Sequence, residues 1–80
     1  MSFNKWIDTL VDEKGYDTET IIEVEGASGT NWIPLGCLID AIKSASQQEK
    51  DGIKCMIVRI DFVNGDVMDY FKHLAQAIAI

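Results

Sequence analysis

The chain has 80 residues, of which 48% are hydrophobic and 25% are charged, a composition typical of one ordinary soluble globular domain. Thirteen acidic side chains against seven basic ones give a net charge of −6, which argues against direct nucleic-acid binding or attachment to an anionic membrane, since both need a basic surface. No apolar stretch approaches the roughly 18 residues that cross a bilayer, and the N-terminus lacks the pattern of a secretory signal, so we expect a cytoplasmic protein.

Residues 3–14 are predicted to form an amphipathic helix. Apolar side chains recur at the spacing of one helical face, at Phe3, Trp6, Ile7, Leu10 and Val11. Ser2 precedes them and is a good N-cap residue, because its hydroxyl can accept a hydrogen bond from a free backbone amide of the first turn. Gly15 is suited to end the helix, since glycine adopts the left-handed conformation without strain.

Residues 16–31 allow two interpretations. Residues 20–25 are rich in β-branched side chains and roughly alternate between apolar and polar, which favours a short strand. The stretch 26–29 is typical of a turn, so a small hairpin reaching Trp32 and Ile33 is one prediction. A loop or a single helical turn is the alternative, because an isolated hairpin is marginal unless it packs on helices.

A second helix is predicted where apolar residues recur at helical spacing, from Trp32 to Ile42. Thr30 or Asn31 can cap it, and Pro34 then falls in the first turn, where its missing amide hydrogen does no harm. The apolar face would consist of Trp32, Leu35, Leu38, Ile39 and Ile42. In this prediction Trp32 belongs to the buried face of a helix.

Residues 46–63 fit two secondary structures. Ser46 and Glu49 have the spacing of a capping box, and apolar residues follow at helical spacing, at Ile53, Met56, Ile57 and Ile60. The alternative is a strand over residues 54–62, favoured by Gly52 and by the β-branched residues of that stretch. We favour the helix, because propensity alone is a weak guide against a cap and a 3.6-residue period.

The last helix is predicted over residues 66–78. Asn64 and Gly65 stop the preceding element, and Asp66 is the N-cap. The apolar face would consist of Val67, Phe71, Leu74, Ala75 and Ile78. The uncharged end, residues 75–80, is expected to dock on the core or on a partner chain, because an exposed apolar end would form a hydrophobic patch.

These elements predict a mainly α fold, a small bundle of three to four helices, with a short β-hairpin if residues 20–33 pair. The alternative is a compact α+β fold in which residues 54–62 form a strand. Pro34 is the only proline, and no glycine- and serine-rich linker divides the chain. We therefore expect a single globular domain over residues 1–80.

The sequence contains no complete catalytic or metal-binding pattern. Cys37 and Cys55 each stand in an apolar run and are expected to be small buried core residues. Asp66, Asp69 and His73 could together hold a divalent ion, but three ligands on one short helix form an incomplete shell. We therefore expect no catalytic residues, no metal and no cofactor.

The acidic residues are concentrated at one end of the chain. Seven acids and two lysines give residues 1–25 a charge of −5, whereas six acids and five bases give residues 26–80 a charge of −1. Such a segment can be a solvated surface, or it can attract a basic patch on a protein partner. The candidate contact residues are Asp8, Asp12, Glu13, Asp17, Glu19, Glu23 and Glu25.

Several segments of the chain carry a resemblance to a known group of proteins. Residues 53–67 and 71–75, together with the segments 28–31 and 33–36, resemble small uncharacterised accessory proteins encoded by phages and prophages. The resemblance covers most of the chain but includes no motif of known chemistry. It implies an accessory protein in a bacterial cell that binds and modulates a host protein, and it assigns no role to individual residues.

The sequence thus predicts a small acidic, non-enzymatic protein that acts by binding a host or phage protein. Two alternatives stay open. One is a self-associating structural module, with a homodimer formed through the apolar C-terminal end. The other is a small metal-binding protein that uses Asp66, Asp69 and His73.

Overall fold

The chain consists of four α-helices and one β-hairpin in the computed structural model, which describes residues 2–78. In chain order the elements are α1 (Phe3–Lys14), β1 (Ile21–Gly26), β2 (Gly29–Pro34), α2 (Leu35–Lys43), α3 (Gln47–Phe62) and α4 (Val67–Ile78). The structure is 64% helical. The predicted mainly α fold with a short hairpin is confirmed.

α1 begins and ends where the sequence predicts. Ser2 is the N-cap, and its hydroxyl accepts a hydrogen bond from the backbone amide of Lys5 at 3.2 Å. Gly15 follows the last helical residue in the left-handed conformation, with φ of 70°. The buried side chains of this helix are Ile7, Leu10 and Val11.

β1 and β2 form an antiparallel hairpin in which Glu23 lies opposite Trp32. Burial alternates along β1, so that Ile22 and Val24 point into the core, where α4 packs against the strand. This packing gives the hairpin the support that an isolated two-stranded sheet lacks. The hairpin predicted over residues 20–33 is therefore confirmed.

α2 begins at Leu35, later than predicted, because the segment before it pairs with β1 instead of starting the helix. Neither Thr30 nor Asn31 caps it. The amide of Leu35 donates to the carbonyl of Thr20 at 2.8 Å. A backbone carbonyl from the loop before the hairpin thus accepts from a free amide of the first helical turn, in place of a capping side chain. Trp32 is consequently exposed on the hairpin, and its predicted place on a buried helical face is wrong.

α3 is a helix throughout, so the alternative strand over residues 54–62 is wrong. Ser46 is the N-cap, as predicted: its hydroxyl accepts from the amide of Glu49 at 3.2 Å. The Glu49 carboxylate accepts from this hydroxyl at 3.1 Å, in place of the bond from the Ser46 amide that would complete a capping box. The 3.6-residue period turns Ile57 into the core. A strand here would also need a paired neighbour, whereas β1 and β2 form a sheet of two strands.

A tight turn joins α3 to α4. Asn64 adopts a left-handed φ of 58°, and the amide of Gly65 donates to the carbonyl of Ile60 at 2.8 Å, which ends α3 at the predicted stop. Asp66 caps the next helix, as predicted. Its Oδ1 accepts a hydrogen bond from the amide of Met68 at 2.9 Å. The last helix therefore starts where the sequence predicts.

Apolar side chains from all four helices and from β1 form the core. Phe71 is fully buried and meets the ring of Tyr16 edge-on, with ring centroids 6.1 Å apart. At the C-terminal end, Ala75 is buried as predicted, but Ile78 is 52% exposed, and residues 79–80 lie outside the described residues. The buried residues are Ile7, Leu10, Val11, Ile22, Val24, Leu35, Leu38, Ile39, Ile42, Ile57, Val67, Phe71 and Ala75.

Candidate functional site

The seven acidic residues predicted to form a contact surface are all exposed, but they are spread over α1, the loop after it and β1. On α1, Asp8 forms an ion pair with Lys43 of α2. In the loop, Asp17 accepts a hydrogen bond from the amide of Glu19 at 2.9 Å and so fixes the local turn. Asp8 and Asp17 therefore have structural partners within the chain, and the seven predicted residues are distributed over three successive parts of it.

Glu23 and Glu25 lie together on the outward side of β1. Side chains alternate along a strand, so the burial of Ile22 and Val24 turns both glutamates outward. Residues directly opposite in an antiparallel pair share a face, with Cβ atoms roughly 4.5–5.5 Å apart. The neighbours of the two glutamates are therefore found on β2.

Trp32 lies in the middle of this outward side. It is paired with Glu23, and Thr30 is paired with Glu25. The Trp32 side chain is 65% exposed, and Ile21, at the start of the same face, is 53% exposed. We name this surface the outer hairpin face; its residues are Ile21, Glu23, Glu25, Thr30 and Trp32.

The outer hairpin face carries negative charge in a part of the chain without bases. Residues 15–42 contain no Lys, Arg or His, and they include five carboxylates. In the described range 2–78 the ion pairs are Lys14–Asp61 and Lys43–Asp8, and neither involves this face. Glu23 and Glu25 therefore give this face a net negative charge, which attracts cationic groups.

Sequence reasoning found the two carboxylates of this face but not its tryptophan. The helical spacing from Trp32 to Leu35 predicts a buried helical position, whereas the side chain is exposed. The opposite signal is also in the sequence: folding the chain around Ala27 and Ser28 as a two-residue turn sets Trp32 opposite the outward Glu23. Turn length, rather than helical spacing, would have found the residue.

Both cysteines are exposed, contrary to the prediction. Apolar neighbours in the sequence indicated burial, but the helical face decides it. In α2 the buried face turns Leu38 inward and Cys37 outward. In α3 it turns Ile57 inward and Cys55 outward.

Asp66 precedes α4, Asp69 lies in its first turn, and His73 lies in its middle. Asp66 caps the helix through the amide of Met68. His73 lines a shallow groove that also includes Glu25 of the hairpin. Within residues 2–78, no three His, Cys, Asp or Glu side chains lie close enough together to hold a metal ion.

Comparison of the chain with protein-family models, with curated proteins and with solved structures found no match. Within residues 2–78, no helix combines the length and the apolar character needed to cross a membrane. The outer hairpin face is therefore interpreted from its own geometry. It presents the exposed indole of Trp32 beside the carboxylates of Glu23 and Glu25, and the other face of the hairpin packs against the core.

Proposed function

We propose that this protein is non-enzymatic and acts by binding a host or phage protein through the outer hairpin face. The observation that carries the proposal is Trp32, which is 65% exposed and lies opposite Glu23. Large aromatic side chains are highly buried on average. Tryptophan is strongly enriched among the residues that dominate protein–protein interfaces.

Burial of the exposed part of Trp32 would supply a large share of the binding free energy. A tryptophan presents roughly 250 Å² of surface, so covering the exposed 65% removes roughly 160 Å² from water. At about 25 cal/mol per Å² this amounts to roughly 4 kcal/mol, before the loss of motion on binding is subtracted. A contribution of this size is typical of an interface hot spot.

The partner surface that fits this face combines a hydrophobic pocket with basic side chains. The pocket would receive the indole of Trp32, and Lys or Arg residues around it would pair with Glu23 and Glu25. Such pairs at the rim of an interface accelerate encounter and set orientation more than they add affinity. Because salt screens exposed charges over about 8 Å at physiological ionic strength, binding should weaken as salt is added.

Affinity capture from a bacterial lysate on the immobilised full chain tests the role of the indole. We expect the wild-type chain to retain a specific protein that the Trp32→Ser chain loses. Phe62→Ser is the matched control, because Phe62 is 87% exposed and lies on α3, outside the outer hairpin face. Equal capture by all three chains, or no capture by the wild type, would contradict the proposal.

A second pair of variants tests the charges. Glu23→Gln/Glu25→Gln removes two carboxylates from the outer hairpin face, and Asp12→Asn/Glu13→Gln removes two from α1. We expect the first pair to lower capture and to reduce its salt dependence, and the second pair to leave both unchanged. The same loss in both would show that only net charge matters, and the specific role of the hairpin would then be wrong.

A further inference from the structure

The side of α3 that faces away from the core includes a row of exposed apolar residues between charged ones. Ile57 is buried, and on the opposite side Cys55, Val58 and Phe62 recur three and four residues apart, so they form one row along the helix. Val58 is 51% exposed and Phe62 is 87% exposed. We name this row with its flanking charges the α3 stripe; its residues are Asp51, Cys55, Val58, Arg59 and Phe62.

The neighbouring apolar surface is covered by the chain's own lysines. Lys50 Nζ lies 5.6 Å from the ring centroid of Phe3, and Lys54 Nζ lies 5.2 Å from that of Trp6. The α3 stripe lies beside these contacts. All of its residues except Phe62, together with Lys54, line a shallow depression of about 500 Å³. Phe62 has no comparable cover among residues 2–78.

We propose that the α3 stripe is covered by the same stripe of a second copy of this chain, in a two-fold symmetric dimer in which the two α3 helices run antiparallel. The two-fold axis passes beside Cys55. This proposal uses no residue of the outer hairpin face, and it stands or fails separately from the proposed function. It also differs from a homodimer through the C-terminal end, because it places the contact on α3.

Charge complementarity selects this arrangement. Asp51 lies four residues before Cys55, and Arg59 lies four residues after it. An antiparallel pair centred on Cys55 sets Asp51 of each copy level with Arg59 of the other, so two opposite-charge pairs form. A parallel pair would instead set Asp51 against Asp51 and Arg59 against Arg59, which is repulsive.

Gly52 lies at a position where the proposed dimer brings the two α3 helices close together. Gly52 lies three residues before Cys55, and Val58 lies three residues after it, so the same symmetry sets Gly52 of one copy against Val58 of the other. The space around a Cβ on Gly52 is empty in the chain itself. A glycine at this position lets the two helices approach closely.

The area available sets the expected affinity. A helix of 16 residues is about 24 Å long at a rise of 1.5 Å per residue. One face of such a helix, with side chains, buries roughly 400–500 Å² per copy, so the total of roughly 1,000 Å² lies at the lower end of specific interfaces. We therefore expect a reversible dimer with an affinity in the micromolar range, populated as the protein concentration rises.

Sedimentation velocity of the full chain from micromolar to millimolar concentration tests the proposal. We expect the wild type to pass from monomer to dimer, and Arg59→Glu to weaken the dimer by roughly tenfold or more, because each Asp51 would then face a carboxylate. Asp51→Arg should weaken it as well. The double variant Asp51→Arg/Arg59→Asp should restore dimerisation, since the exchange rebuilds both pairs with reversed sign; circular dichroism checks that each variant stays folded.

Thiol cross-linking locates the axis. A short bis-maleimide should join two copies of the wild type and of the Cys37→Ser chain, and it should join far fewer copies of the Cys55→Ser chain, because Cys55 lies at the axis while Cys37 lies on α2. A wild type that stays monomeric at millimolar concentration overturns the proposal. A dimer that survives Arg59→Glu, that the double exchange does not restore, or that cross-links equally through Cys37 overturns it too.

Discussion

Ile57 and Phe62 lie five residues apart in α3 but have opposite surroundings. Ile57 is 1% exposed, and Phe62 is 87% exposed. We expect Ile57→Ala to lower the free energy of unfolding by roughly 2–5 kcal/mol, because it removes buried surface and leaves a cavity. Phe62→Ala should change it by less than about 0.5 kcal/mol. Urea denaturation at low protein concentration measures both values.

This pair of variants also separates a helix from a strand. In a strand over residues 54–62, Phe62 would share a face with Val58 and Ile60, and Ile57 would point to the other side. A larger loss of stability for Phe62→Ala than for Ile57→Ala would therefore contradict the helix.

At the scale of elements, the turn between α3 and α4 depends on a close backbone approach at Gly65. A Cβ at this position would lie 2.8 Å from Cγ2 of Ile60 and 3.2 Å from its carbonyl oxygen. We expect Gly65→Ala to lower the free energy of unfolding by roughly 1–3 kcal/mol, because the branched side chain of Ile60 cannot yield cheaply.

Gly52→Ala is the matched control, because a Cβ there meets open space inside a helix. Alanine has the higher helix propensity, so this variant should raise the free energy of unfolding by roughly 0.5–1 kcal/mol. Thermal and urea denaturation at low concentration compare the two variants. Equal effects of both substitutions would show that the contact at Gly65 is not close in solution.

The elements whose signals are local could be predicted from the sequence. The caps at Ser2, Ser46 and Asp66 each depend on residues within one turn, and all three form as predicted. The start of α2 could not be predicted in the same way. It depends on the pairing of β2 with β1 and on the carbonyl of Thr20, contacts between segments that local patterns do not describe.

The candidate site was predictable in part for the same reason. The charge count identified Glu23 and Glu25, because the concentration of acids at one end is visible in the sequence. The exposure of Trp32, Cys37 and Cys55 was not visible, since apolar or small residues in apolar runs are usually buried. Which side of an element faces the core is a property of the assembled fold.

At the scale of the whole molecule, the packing of Tyr16 against the core affects how stable the protein is at alkaline pH. Burial, and to a smaller extent the charge of Asp66, raises the pKa of Tyr16 above its ordinary value of 10.0. The folded protein thus holds the phenol proton more tightly than the unfolded chain does. The contribution of Tyr16 to the free energy of unfolding is fully present below about pH 10, and it is lost as the pH rises through the raised pKa.

We expect the free energy of unfolding to fall above about pH 10, and to fall less steeply in Tyr16→Phe, which cannot ionise. In Tyr16→Phe the free energy of unfolding should still depend on pH through two other groups. Burial raises the pKa of Tyr70, and the hydrogen bond to Asp61 raises the pKa of Lys14. Denaturation across the alkaline range measures the slope, and phenolate absorbance follows the tyrosines. An identical slope in both proteins would contradict the role given to Tyr16.

At the scale of the whole molecule, the two surfaces proposed to bind partners differ in character. The outer hairpin face combines an indole with carboxylates, which suits a basic protein of another kind. The α3 stripe has both signs of charge, one turn either side of Cys55, which suits a second copy of itself. The two surfaces share no residue, so variants in one can be measured without altering the other.

Hydroxyl-radical footprinting of the chain, with and without the protein it captures, tests most directly whether the outer hairpin face is the binding surface. Trp32 is the reporter, because its indole is reactive and 65% exposed, and Phe62 is the internal reference on α3. We expect the partner to slow the oxidation of Trp32 several-fold and to leave that of Phe62 unchanged. Oxidation of Trp32 at the same rate in the free and the bound protein would contradict the proposed function.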